Sequence, residues 1–133
     1  MKKIVLLFCF LGLNGCAVTN DIIHNQYKTV TPTSSDLNGF WSGKNDSYTV
    51  TYSFNKDGTG LVCFSDKGED TIEKLKVHGN EIIFQSGLKQ TIESRSYKHL
   101  ELKVNYSEGK TFQYTPDPNL ANASLYCKSV LNK

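Results

Sequence analysis

From Leu37 to Thr115 apolar and polar residues alternate in short runs separated by turn residues. Tyr48, Val50, Tyr52 and Phe54 interleave with Thr49, Thr51 and Ser53, and Leu100, Leu102, Val104 and Tyr106 interleave with Glu101, Lys103 and Asn105. Period two is the signature of a strand with one buried face. Further short runs lie at 60–65, 71–78, 81–85, 89–95 and 111–115, and Phe40-Trp41 marks a first strand. The turn signals between them include Asn55-Lys56-Asp57-Gly58, Asp66-Lys67-Gly68, Gly79-Asn80, Ser86-Gly87 and Ser107-Glu108-Gly109. This spacing predicts a meander of hairpins. In Ile72-Glu73-Lys74-Leu75 the alternation slips by one, which predicts a bulge or a register fault there. Beyond the strands, Asp117-Pro118 has the form of an N-cap followed by a first-turn proline. Leu120, Ala123, Ser124, Cys127 and Leu131 recur at helical spacing, so a short C-terminal helix is expected to start there, with Cys127 on its buried face. The fold class expected is all-β: a small antiparallel up-and-down barrel of about eight short strands with one short helix. Its inward positions would be Tyr48, Tyr52, Phe54, Phe84, Leu102 and Phe112, bulky enough to fill an eight-stranded interior.

The N-terminus follows another pattern. Met1-Lys2-Lys3 is a short positive segment, and Ile4 to Leu13 is apolar but too short to span a bilayer of roughly 30 Å as a helix. Leu13-Asn14-Gly15-Cys16 follows. This run resembles the lipobox of bacterial lipoproteins. The resemblance implies cleavage before Cys16, diacylation of its sulfur and acylation of the new amino group. It further implies, with Ala17 rather than Asp after the cysteine, delivery to the outer membrane. The expected organisation is a signal peptide over 1–15, a lipidated N-terminus and tether over 16–36, and a barrel domain over 37–133. The tether is rich in Thr, Ser and Pro, with Ile22, Ile23 and Tyr27 as residues able to dock on the domain.

Composition changes its meaning once that signal is set aside. Lys2 and Lys3 account for the whole formal charge of +2. A neutral mature chain has no general electrostatic attraction for nucleic acid or anionic headgroups, so the membrane is met through acyl chains. With Cys9 in the signal and Cys16 lipidated, Cys63 and Cys127 are the remaining thiols, and an oxidising envelope compartment would pair them as a disulfide.

Candidate chemistry is sparse. Gly39-Phe40-Trp41, followed by Phe54-Asn55-Lys56-Asp57-Gly58-Thr59-Gly60, resembles the opening of lipocalin-like domains. That resemblance implies a barrel with Trp41 at one end, as a plug or a ligand contact. Lipocalins place an arginine in a late strand, whereas the single arginine here, Arg95, falls in a middle one. Tyr106-Ser107-Glu108-Gly109-Lys110 is similar to a loop of membrane-bound lysozyme inhibitors, which implies a role for Ser107 in a lysozyme cleft; that family's second inhibitory residue, a lysine on a following loop, has no clear counterpart, and Lys110 is kept beside Ser107 as a candidate binding residue. Motifs for nucleophilic, zinc or phosphate chemistry do not occur. His24, His78 and His99 are dispersed and expected to be solvated; Glu69, Asp70, Glu73 and Glu81 are expected to guard strand edges. Asn122-Ala123-Ser124 fits a glycosylation sequon but is expected to be helix filler. The reading is a non-catalytic lipid-anchored lipoprotein, without metal or cofactor, that binds a protein or envelope component through its barrel surface or loops, lysozyme inhibition being its sharpest form. The alternative is a lipocalin-like carrier of a small apolar ligand, which predicts a cavity of roughly 300 Å³ or more lined by Trp41 and the inward tyrosines.

Overall fold

The computed structural model describes residues 24–105 and 107–133, without the Ser107 side chain. Cys16, Ala17, Ile22, Ile23 and Tyr106 lie outside the described residues. Eight antiparallel strands run in chain order: β1 (Gly39–Asn45), β2 (Tyr48–Phe54), β3 (Thr59–Asp66), β4 (Glu69–His78), β5 (Glu81–Phe84), β6 (Lys89–Arg95), β7 (Leu100–Val104) and β8 (Thr111–Pro116). Each pairs with the next, and β1 pairs with β8 through Trp41–Pro116 and Gly43–Tyr114, so the sheet closes into a barrel. Closure removes the edge strands that the acidic residues were expected to guard. At the closing seam a side chain on Gly43 would collide with the Gln113 carbonyl, so the close approach requires glycine.

Inward alternation builds the core. Trp41, Tyr52, Phe54, Phe84, Leu102 and Tyr114 are each 5% exposed or less. Tyr52 meets Tyr114 edge-on, with centroids 5.1 Å apart, and stacks on Phe54 at 5.4 Å. Burying such a side chain contributes roughly 1.5–3 kcal/mol, so these rings dominate the interior. Tyr48 and Phe112 share the inward face but sit at the barrel's rim, Tyr48 being 44% exposed.

The expected bulge at 72–75 is not there: β4 pairs with β3 in unbroken register from Lys76 to Glu69. Ile72 faces outward opposite Cys63, and Glu73 takes the inward position, where its carboxylate accepts the Ser86 N–H at 2.6 Å. The slip in alternation comes from an acid used at the barrel mouth. The irregularity lies instead in β6, where Glu93 is the extra residue between the Ile92–Leu102 and Ser94–Glu101 pairs.

The C-terminus also departs from expectation. The helix α1 spans Leu125–Leu131, with Ser124 as its N-cap: Ser124 Oγ accepts the Cys127 N–H at 3.1 Å. Leu120 has φ 56°, which no right-handed helix accommodates, so Asp117-Pro118 cannot start one. Asp117 is instead a buried anchor. Its carboxylate accepts the N–H groups of Ala121 and Asn122 and the Ser42 hydroxyl, which in turn pairs with Thr51. Seven residues are too few for a free-standing helix. α1 is held by the Cys63–Cys127 disulfide and by a second apolar cluster of Leu120 and Leu131 against Phe40 and Leu61 on the barrel's outer face.

Residues 25–37, most of them assigned to the tether, form a strap along the barrel. Asn25 donates to the Gln85 carbonyl, and Lys76 Nζ donates to the carbonyls of Tyr27 (2.6 Å) and Val30 (3.1 Å) with the Tyr27 ring 4.6 Å away. Thr33 N–H donates to Val77, and Ser35 N–H to Lys56. Leu37 ends the strap inside the core, 1% exposed.

Candidate functional site

The barrel has two usable ends. The β1–β2, β3–β4, β5–β6 and β7–β8 loops form the upper end; the end of the strap at Leu37, the β2–β3, β4–β5 and β6–β7 turns and the segment after β8 form the lower end. Each carries a half-open cleft, of about 390 Å³ above and about 550 Å³ below.

Trp41 belongs to the lower end. Its indole N–H donates to the Leu37 carbonyl at 2.8 Å, which fixes the ring under the end of the strap. The lower cleft lies between Phe40, Trp41, Arg95, Tyr97, Pro116 and the strap's end. Tyr97, on the β6–β7 turn, is 82% exposed, and Arg95 pairs with Asp36 at 3.6 Å across the rim. Arg95 thus reaches the neighbourhood of Trp41 from a middle strand.

Lys110 lies at the upper end, where it pairs with Asp46 at 3.6 Å. Because β1 and β8 are antiparallel, the chain leaving Trp41 along β1 reaches the Lys110 end only after Asn45; the predicted binding residues Trp41 and Lys110 therefore serve opposite ends. Residues 107–109 form a 3-10 turn with Glu108 at φ 62° and Gly109 at φ 71°, closed by the Val104 N–H to the Lys110 carbonyl. The upper cleft is walled by Tyr48, Phe64, Thr71, Val104 and Phe112, with Asn45 and Asp46 of the β1–β2 turn at its edge.

A single cavity lined jointly by Trp41 and the inward tyrosines does not form, because Tyr52, Phe54 and Tyr114 pack the space between the two clefts. Two interior residues were not singled out in the sequence: Tyr114, although it shares the inward alternation of Phe112, and Gln90, a polar residue between Lys89 and Thr91 that no pattern marks as core. Gln90 is fully buried; its Oε1 accepts the Tyr52 hydroxyl at 2.7 Å, and its Nε2 has no partner among the described residues.

The remaining polar residues do structural work. His78 is exposed, yet its Nδ1–H donates to the Thr31 carbonyl of the strap at 2.8 Å, and His99 is half-buried. Ser124 of the sequon caps α1 and donates to Asp70. In the β2–β3 turn, Asp57 accepts both the hydroxyl and the N–H of Thr59, which hold its carboxyl below the 3.8 of a free aspartate. Among the described residues no three His, Cys, Asp or Glu side chains gather as a metal site, and no helix is long and apolar enough to cross a membrane.

No family model matches the chain, and no curated protein matches it. Among solved structures it is similar to a "putative lipoprotein" from Streptococcus pneumoniae, with TM-score 0.53 and 12% identity over 63% of this chain and 98% of that one. At that identity the likeness is one of fold.

Proposed function

We propose that the chain is a lipid-anchored, non-catalytic envelope lipoprotein that presents the lower end of its barrel to a protein partner. The observation that carries this reading is the docked strap. It begins at the upper end, at Asn25 on Gln85, and runs to the lower end at Leu37. Only nine peptide steps separate Cys16 from Asn25, a reach of roughly 30 Å when fully extended. A barrel anchored through Cys16 is therefore held by its upper end, and the lower cleft, with exposed Tyr97, Arg95 and the edge of Phe40, faces away from the bilayer. An exposed aromatic beside an arginine is a surface typical of protein–protein hot spots. The lipobox resemblance and the lipoprotein fold neighbour support the anchor, and Ala17 supports outer-membrane delivery.

Acyl labelling and membrane fractionation test the anchor: label must depend on Cys16 and travel with the outer membrane. Photo-crosslinking in intact cells tests the partner. A photoreactive residue at position 97 should give one discrete adduct, and the same residue at Thr71 in the upper cleft should not; the absence of an adduct from position 97 would sink the lower-end reading. Lysozyme inhibition, carried by the resemblance of the 106–110 loop, is the sharper form of partner binding. Within it, residues 107–109 form a 3-10 turn and Lys110 pairs with Asp46. A lysozyme assay with micromolar mature protein decides it, since full lysozyme activity would remove that form.

A further inference from the structure

We infer that the partner met at the lower end presents an acidic side chain beside an aromatic ring, the carboxylate going to Arg95 in the place that Asp36 now takes. The inference rests on the lower-end reading and names the chemistry of its partner.

Arg95 is the last residue of β6 and pairs with Leu100, so a strand end carries its guanidinium to the wall of the lower cleft. Its side chain is 35% exposed, against 76% for Asp36. The ion pair between them runs from Nε to one carboxylate oxygen at 3.6 Å, longer than a hydrogen bond. Among the described residues no acceptor hydrogen-bonds the guanidinium. A fork of five N–H donors therefore lines the cleft with one loose counter-charge beside it. Water serves such a group while the cleft is open. A partner that covers the cleft removes that water, and a covered charge without an acceptor is costly. A carboxylate that meets the fork on two N–H groups restores the loss.

Asp36 shows what the site accepts. It is an internal acidic side chain at the strap's end, immediately before Leu37. An ion pair so exposed is weak, so a second carboxylate with better geometry displaces it. The balance of charge points the same way. Lys98 Nζ lies 5.5 Å from the centre of the Tyr97 ring and adds a cation to that turn. Glu93 and Glu101 do not line the cleft, and the Glu101 carboxylate meets the Ser94 hydroxyl at 3.4 Å.

The apolar walls set the neighbour of that acid. Phe40, Trp41, Tyr97, Pro116 and Pro118 offer flat ring surfaces around a volume of about 550 Å³. Trp41 is fixed by its indole N–H on the Leu37 carbonyl, whereas Tyr97 stands 82% exposed. An aromatic residue next to the acid lies against Tyr97 and the prolines and covers them, as rings do at the centre of protein interfaces.

Two peptides test this by chemical-shift titration of the purified mature protein: acetyl-Pro-Phe-Glu-Pro-amide and its glutamine counterpart, which differ in the charge. The glutamate peptide should shift the amides of residues 95–98 and bind about fivefold more tightly than the other. Arg95→Gln should bind the two alike, and Tyr97→Ala should weaken both. Asp36→Asn removes the competing carboxylate and should tighten the glutamate peptide about threefold. Equal affinities for the unaltered protein would overturn the inference, as would a preference that survives Arg95→Gln or no gain in Asp36→Asn. Crosslinking in intact cells separates this inference from the reading beneath it. With the photoreactive residue at position 97, the absence of an adduct removes both. An adduct that forms as strongly after Arg95→Glu leaves the lower-end partner standing and removes its acidic character.

Discussion

Replacing Cys63 and Cys127 together by alanine should cost this domain about 5 kcal/mol. The larger part is chain entropy. The bridge spans a sequence separation of 64, and closing a loop of that length removes about 4 kcal/mol of conformational freedom from the unfolded chain. The remainder, about 1 kcal/mol, comes from the space two fully buried sulfurs leave between α1 and β3. Against the 5–15 kcal/mol typical of a native domain this is a large share. The loss should also be localised. α1 has seven residues and touches the barrel through Cys127 and Leu131, beside Leu120 of the segment before it, so without the bridge it opens before the strands do. Urea unfolding followed by the fluorescence of the single tryptophan, buried at 5% exposure, measures the global term. Amide exchange of residues 125–131 measures the local one. Reduced but unsubstituted protein separates the two contributions, since it keeps the sulfurs and loses the link. A loss below about 1 kcal/mol, or unchanged exchange in α1, would refute the view that the bridge holds the outer cluster together.

Three further outcomes are expected. Asp117→Ala removes an acceptor of three hydrogen bonds, one of them from buried Ser42, and should destabilise by about 3 kcal/mol in thermal or urea unfolding, with Asn restoring part of it. Gly58→Ala places a methyl group on the Thr33 carbonyl at a residue with φ 93°, so it should cost about 2 kcal/mol and lift the strap, read as faster tryptic cleavage at Lys28. The Asp57 carboxyl is held below 3.8 in the folded protein, so its contribution to stability is present above that value and is lost as the pH falls through the lowered one; Thr59→Val removes the hydroxyl and keeps the N–H, so it should move the NMR titration midpoint part of the way back toward 3.8, and an unmoved midpoint would remove the Thr59 hydroxyl as the main cause.

The alternation of the strands was readable because it is a local property: the inward face of Tyr52 and Phe54, or of Leu100 and Leu102, is set by period two alone. The turns were readable for the same reason, since Asp57-Gly58 and Lys67-Gly68 sit where positive φ is needed. Where local grammar was overruled, a distant residue did it. Asp117 has every local mark of an N-cap, but Ser42, 75 positions away, draws its carboxylate under the C-terminal segment, and Leu120 turns the chain out of the helix. Ile72 and Glu73 break the alternation because one lies beside Cys63 and the other reaches Ser86 across the mouth. In the strap, Tyr27 was legible as a docking residue, and its ring does lie 4.6 Å from Lys76 Nζ. The rest is bound mainly through backbone carbonyls and amides to Lys76, Val77 and Lys56, and such contacts leave no trace in side-chain pattern.

That strap also reshapes what the candidate site residues mean. A loose spacer of twenty residues would let the barrel tumble, and either end could meet a partner. A strap fixed at Asn25, Lys76, Thr33 and Ser35 would convert the proposed anchor at Cys16 into an orientation. The two ends are then unequal. On the proposed anchor, Trp41, tied to Leu37 at the strap's far end, would face the compartment, and Lys110 and the upper cleft would lie nearer the lipid. Cutting the strap's hold with Lys76→Met should therefore leave the affinity for the glutamate peptide unchanged in solution but blur the crosslinking from position 97, because the orientation is lost while both clefts remain.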